Sequence, residues 1–240
     1  PFWEYIIALS KESYAIGFDE LNYDYIRYPS DGVMADAKYV DPDKPAALEA
    51  FFRYLHDNVA PIGVLTSADL FGYVTVHADD LGIGQVLERA LPYFDYIDPM
   101  VYPSHYNKGF AGLANVNSDP YLVVHTSLVE AVRRAFATTT VVAGFATTPI
   151  MKTVIIPGSA NAPTTTKEVP SGMYAKAPYP SSVIRPWLQS FDYPVPYTPA
   201  MVKAQIRANE DAGLSSYLFW DPANKYTSLR AVLLEENGQP

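Results

Sequence analysis

The sequence predicts an α/β protein of the (β/α)8 TIM-barrel class, present in part. Three observations predict it. Amphipathic helical stretches alternate with short β-branched or aromatic runs along most of the chain, the pattern of parallel β/α units with right-handed crossovers. The 240 residues have ordinary globular composition, 49% hydrophobic and 18% charged, and barrels of about 250 residues are commonly one unit. Polar side chains recur at strand ends, where such barrels keep their chemistry. We therefore expect one partial β/α-barrel catalytic domain over 1–240, with about strands 4 to 8 present. A closed barrel needs eight strands, so about three β/α units are expected to precede residue 1. The alternative is an open sheet of five or six strands, which leaves two apolar edges to be covered.

The elements follow in order. A helix is predicted over Phe2–Ile16, stopped by Gly17, then a strand over Phe18–Tyr25. Pro29-Ser30-Asp31-Gly32 marks a turn, and a polar loop runs to Asp43. Pro45 opens a second helix whose Leu48, Phe51, Phe52, Leu55 and Val59 recur at helical spacing. Beyond Pro61, Ile62–Ala68 reads as a strand, 79–94 as a helix and Tyr96–Tyr102 as a third strand. A helix over Asp119–Ala137 follows. From Thr138 to Ser182 the rhythm breaks into two β-branched runs, Thr139–Phe145 and Thr153–Ile156, and a Pro/Thr/Ser/Gly-rich stretch. We expect there a barrel strand or hairpin with a long, lid-like insertion, around 138–182. Val183–Phe191 is strand-like, Thr198-Pro199 caps a helix ending at Gly213, and Leu214–Trp220 and Ser228–Glu235 complete the series.

Charge and composition narrow the partners. A net charge of -9 without a basic cluster argues against nucleic acid. The chain has no cysteine, so disulfides, thiolate catalysis and zinc–thiolate sites are excluded. No membrane-spanning segment is expected, since the most apolar region, Thr140–Ile156, is broken by Pro149 and Lys152. Nineteen tyrosines, 11 phenylalanines and 3 tryptophans fit sugar-contacting surfaces or simply an aromatic core. A Gly-x-Ser-x-Gly elbow and a His-Glu-x-x-His pattern are both absent. No cofactor is implied.

The candidate site comes from strand ends. Glu20, Asn22 and Asp24 occupy alternate positions and so share one strand face, opposite Leu21, Tyr23 and Tyr25. Such a polar row is costly inside an apolar core and suits a ligand-facing barrel mouth. Asp24-x-x-x-Tyr28-Pro29 and Asp98-x-x-x-Tyr102-Pro103 share a spacing, and Asp69 ends the strand between them. Paired carboxylates are what glycoside hydrolysis needs, about 5–5.5 Å apart for retention and about 6.5–9.5 Å for inversion. Asp24, Asp69 and Asp98 are therefore the candidate catalytic acids. Their competing readings are a salt bridge to Arg27, a loop cap and a turn-stabilising acid. Arg27, Tyr102, His105, Tyr106 and Gln189 are candidate substrate contacts, with Asn224 at the last strand end beside Asp221; Arg185 lies at the end of the fifth predicted strand. Trp187 and Trp220 fit sugar-stacking platforms or core packing. No dedicated metal site is assigned, although Asp24, Asp69, Asp98 and His105 together have the chemistry of a metal-dependent sugar enzyme.

These motifs also resemble a known family. Gly17-Phe18-Asp19-Glu20, Asp24 through Gly32, Ser67-Ala68-Asp69-Leu70-Phe71-Gly72 and Pro99 through Tyr106 carry the likeness. Arg185-Pro186-Trp187-Leu188-Gln189, the helix from Gln205-Ile206 to Asp211-Ala212-Gly213, and Trp220-Asp221-Pro222-Ala223-Asn224-Lys225-Tyr226 continue it. The chain is similar to a bacterial glycoside hydrolase family of TIM-barrel type, long catalogued as a domain of unknown function. The resemblance spans most of the chain except Thr138–Ser182. It implies an N-terminally truncated barrel, a carbohydrate partner such as a polysaccharide or cell-envelope glycan, and an extracellular or envelope location. It also shows two departures. The family's pattern has a small polar residue at Asp98, which favours Asp24 with Asp69, and Asn where Asp221 stands. The expected activity is O-glycosyl hydrolysis through paired carboxylates. A non-catalytic carbohydrate-binding barrel is the alternative.

Overall fold

The computed structural model describes residues 2–34, 36–39, 41, 43–158 and 163–236. Helix α1 (Phe2–Ala15) leads through Gly17 into strand β1 (Glu20–Tyr23). Helix α2 (Lys44–Val59) follows, started by the Asp43 carboxylate, which accepts a hydrogen bond from the Ala46 amide, with a proline in the first turn. Strand β2 (Leu65–Phe71), the single turn α3 (Leu87–Ala90) and strand β3 (Tyr96–Met100) come next. Helix α4 (Pro120–Phe136) repeats the same device, Asp119 capping the Leu122 amide ahead of Pro120. After an inserted segment come β7 (Trp187–Gln189), α5 (Pro199–Asp211, capped by Thr198), β8 (Leu218–Trp220) and α6 (Thr227–Glu236).

The five strands β1, β2, β3, β7 and β8 form one parallel sheet in that order. Side-chain alternation splits the sheet into two unlike faces. Leu21, Ala68, Leu70, Ile97 and Leu188 turn outward into the core, against Phe52, Leu55, Leu128, Val202 and Ile206 of the helices. Burying each such Phe, Leu or Ile stabilises the fold by roughly 1.5–3 kcal/mol. The inner face carries Glu20, Asn22, Ser67, Asp69 and Asp98, joined by hydrogen bonds rather than apolar contact. The helical layer thus supplies the cohesion and leaves the inner face to polar groups.

Differences from the expected elements have local causes. The helix expected over 79–94 shrinks to four residues, because Leu81, Gly82 and Gly84 all take positive φ, a conformation incompatible with a right-handed helix. Strand β2 starts later than expected, since Ala60–Ile62 forms a 3-10 turn closed by Gly63 in the left-handed region. The strand over Val183–Phe191 is cut down to β7, with a 3-10 turn at Ser181–Val183 before it.

The insertion is a three-stranded antiparallel sheet of β4 (Thr139–Thr140), β5 (Thr148–Ile156) and β6 (Thr165–Ala175), with β6 in the middle. Strand β6 falls in the Pro/Thr/Ser/Gly-rich stretch. The lid expectation is corrected: the described residues of this sheet do not line the main cavity. The sheet stands on the outer helical layer, held by the buried Glu49 carboxylate, which accepts from the Phe145 amide at 2.7 Å and from Arg89 at 2.9 Å. Residues 159–162 of the expected insertion lie outside the described residues.

Candidate active site

The C-terminal strand ends converge on a cavity of about 700 Å³. Of the residues expected from sequence, Asp24, Asp69, Arg27, Tyr102, His105, Trp187 and Trp220 line it. Glu20, Asn22, Tyr25, Phe71, Met100, Arg185 and Leu218 complete the wall. Asp98, Tyr106, Gln189 and Asn224 do not line it.

Sheet register explains the convergence of the acids. Tyr23 pairs with Ala68, which sets Asp24 level with Asp69, and Asp69 pairs directly with Asp98. Partners in a parallel ladder point to the same side, so three carboxyl groups from adjacent strands meet at one height. Their surroundings differ sharply. Asp24 is exposed, with Oδ1 accepting from the Tyr25 amide at 2.6 Å. Asp98 is fully buried and ion-paired with Arg185, at 2.8 Å from Nη2 to Oδ2 and 3.2 Å from Nε to Oδ1. Arg185 also forks onto Glu20, with 2.9 Å from Nη1 to Oε2, and lies 4.3 Å over the Tyr96 ring. Hydrogen bonding from Arg185 holds the Glu20 carboxyl below its ordinary range. Burial raises Asp98 to about 6 against the pull of Arg185.

Asp69 is buried and has no ion-pair partner among the described residues. Asn22 Nδ2 donates to its Oδ1 at 2.9 Å and Trp187 Nε1 donates to the same oxygen at 2.7 Å. Burial pushes the carboxyl up to about 7; the two donors pull it down, while the nearby charges of Asp24 and Asp98 push it further up. An acid half-protonated near neutrality sits beside a second, exposed acid. Both donors engage Oδ1, and neither engages Oδ2.

The aromatic and polar walls are held by neighbours. Trp187 and Trp220 meet edge to face at 6.2 Å, and Trp220 is 45% exposed. The Arg27 guanidinium stacks 4.1 Å over Tyr25, donates to Ser30 at 2.8 Å and faces Asp31, not Asp24. Burial together with the charges of Asp69 and Asp24 raises the Tyr102 hydroxyl. Burial lowers the His105 imidazole, favouring its neutral form.

Two of the expected contacts shape loops. Gln189 is buried; it accepts from the Ser104 amide at 3.1 Å and donates to the carbonyls of Phe191 and Tyr193, each at 3.1 Å. Tyr106 is buried against Ser127, its hydroxyl accepting at 2.9 Å. Its oxygen and the Met100 carbonyl would lie 2.7 and 2.4 Å from a Cβ at position 72, so Gly72 is required there. Asn224 has a φ of 53° in the turn after β8. Among the described residues no three His, Asp or Glu side chains gather to hold a metal ion. Arg185 and Asn22, the groups that sort the acids, lie outside the candidate contacts named from sequence. The alternation of Glu20, Asn22 and Asp24 signals Asn22, whereas nothing local pairs Arg185 with a strand 165 residues away.

Comparison with known proteins places this geometry. The spore cortex-lytic enzyme SleL of Bacillus megaterium QM B1551 superposes with a TM-score of 0.50 at 11% identity, covering 99% of this chain and 52% of that one. SleL of Bacillus cereus gives 0.50 at 11% identity, covering 95% and 52%. The glycoside hydrolase domain of PgaB (BpsB) from Bordetella bronchiseptica gives 0.44 at 14%, covering 79% and 42%. The chain spans about half the length of these structures. At such identities the likeness concerns the fold, an incomplete (β/α)8 barrel. No helix among the described residues is long and apolar enough to cross a membrane. No curated protein matches the sequence. A family model matches residues 1–148 and 158–226, so it takes in most of 138–182, where no likeness was expected, and by that match the chain belongs to the family described as "Putative glycosyl hydrolase domain".

Proposed function

We propose that this barrel cleaves glycosidic bonds in a polysaccharide or cell-envelope glycan outside the cytoplasm, with Asp69 as general acid and Asp24 as its partner. The observation that supports it most is the raised Asp69 carboxyl, buried among neutral donors and next to Asp24 in an open cavity. Asp69 Oδ2 delivers its proton to the glycosidic oxygen as the C–O bond breaks, and the leaving sugar departs as an alcohol. Asp24 either attacks the anomeric carbon or takes a proton from the attacking water. Asp98, tied to Arg185, acts as a positioning group: its Oδ2 receives Asn22 Nδ2 at 3.2 Å and so helps aim the amide that holds Asp69. Trp187 and Trp220 offer apolar faces to sugar rings, and Arg27, Tyr102 and His105 offer hydrogen bonds to hydroxyls.

The test is hydrolysis of a glycan panel, comparing the parent protein with Asp24→Asn and Asp69→Asn. Each variant is expected to lose turnover while retaining binding. Turnover unchanged in both would defeat the assignment. Binding without turnover in the parent, indifferent to Asp24→Asn, would mark a non-catalytic carbohydrate-binding barrel instead.

A further inference from the structure

Strand alternation assigns Tyr25 to the side of Leu21 and Tyr23, away from Asp24. Leu21 and Tyr23 obey it. Leu21 is buried in the core, and Tyr23 packs against Phe94 with its hydroxyl 2.8 Å from Ser10 Oγ. Tyr25 does not. Two residues past the end of β1, it lines the main cavity together with Asp24 and is 55% exposed. The cause is its backbone, whose φ of 55° lies in the left-handed region. Glycine and asparagine enter that region readily, whereas a tyrosine there is strained.

The strained turn is held from both sides. Ile26 packs against the core, its carbonyl accepts from the buried Gln85 amide at 3.2 Å, and the Tyr28 amide donates to the Ile83 carbonyl at 2.8 Å. The Arg27 amide donates to the Tyr25 carbonyl at 2.9 Å, and the Tyr25 hydroxyl donates to Asp31 at 3.2 Å. The Arg27 guanidinium lies 4.1 Å over one face of the Tyr25 ring. An unfavourable backbone fixed this firmly beside a candidate chemical group points to function. The ring gains no place in the core in exchange, since most of it stays open at the cavity.

The other aromatic side chains of the cavity stand on distant strands, Trp187 on β7 and Trp220 on β8, edge to face with each other. The strand order β1-β2-β3-β7-β8 puts Tyr25 at one end of the row and the tryptophans at the other, with Asp69 of β2 between them. We propose that Tyr25 is a specificity-determining residue: an aromatic platform for the sugar unit across the scissile bond from the unit on Trp187 and Trp220. The inference rests on the glycosidase reading and deepens it. The substrate is then a glycan gripped on both sides of the bond that breaks, through pyranose rings that each present an apolar C–H face. Tyr25 binds and orients its unit and takes no part in proton transfer.

The test is calorimetric binding of di- to hexasaccharides of glucose, N-acetylglucosamine and galactose to Asp69→Asn protein, which prevents turnover, with and without changes at Tyr25. Tyr25→Asn removes the ring but suits the left-handed backbone. It is expected to weaken binding about tenfold while the melting temperature stays equal or rises. Tyr25→Phe keeps the ring and is expected to hold affinity within about threefold of the parent. The losses from Tyr25→Asn and Trp220→Ala should multiply in the double variant, as for separate contacts. Unchanged binding in Tyr25→Asn overturns the platform. So does an equal loss in Tyr25→Phe, or a loss accompanied by a lower melting temperature, which marks the ring as a brace for its loop. A double variant no weaker than either single one overturns the placement on opposite sides. In each of these cases turnover of the same glycans with Asp69 intact leaves the catalytic assignment standing. Absence of binding to every oligosaccharide overturns both.

Discussion

The buried acids of the outer helical layer and Asp69 on the inner strand face are treated in opposite ways. In the outer layer each one meets an arginine. Glu88 is gripped by Arg134, which also donates to the carbonyls of Val74, Thr75 and His77, and Glu49 pairs with Arg89. On the inner face Asp98 follows that pattern through Arg185. Asp69, one strand away and level with it, receives only an amide and an indole. The arginine-paired acids fasten segments together. Asp69, with no cation beside it among the described residues, is raised to about 7, against about 6 for Asp98. Burial raises both inner-face carboxyls, and the Arg185 guanidinium pulls Asp98 alone back down.

The largest effect expected from breaking this contrast is at Asp69. Asp69→Asn should reduce kcat by about a thousandfold, in the range that general acids contribute, as read by steady-state hydrolysis. The same change should stabilise the fold, because it removes a carboxyl that burial disfavours when charged. The sign follows from linkage. The folded protein holds the Asp69 proton up to about pH 7, against an ordinary value of 3.8, so the folded state binds more protons between those values. Stability of the parent therefore falls as pH rises through that window and levels off above it, by on the order of 4 kcal/mol in total. Urea unfolding of parent and variant from pH 4 to 8 should show their difference widening with pH.

Next in size is the outer layer. Arg134→Ala leaves Glu88 buried without a partner and should cost about 3–5 kcal/mol in the same unfolding experiment. Its kcat per folded molecule should stay near that of the parent. A large kinetic loss there would blur the distinction between fastening acids and chemical ones. The smallest expected change sharpens the distinction: Trp187→Phe removes one donor that lowers Asp69. The pH at which activity falls on the alkaline side, near 7 in the parent, should move up by roughly one unit, as read from the kcat profile.

Much of this was legible in the chain because the signals are local. Pro45, and Thr198 with Pro199, announce helix starts that the structure reproduces. The alternation of Glu20, Asn22 and Asp24 gives their shared face without any tertiary information. What was hidden depends on partners far along the chain. Asp98 and Asp69 look alike at their strand ends, and only Arg185, 87 residues beyond Asp98, tells them apart. Positive φ at Leu81 overrode a helical pattern between Asp79 and Phe94. Strand β6 lacks an apolar run of its own because both its faces are largely exposed.

The Arg185–Glu20 pair has one more consequence. Glu20 stands on the first strand of the sheet and Arg185 just before the fourth, so their contact is a chord drawn across an arc. The chord ties four strands, β1 to β7, across the polar face of the sheet, so the wall of the cavity formed by β1 is fastened to the wall formed by β7 through one side chain.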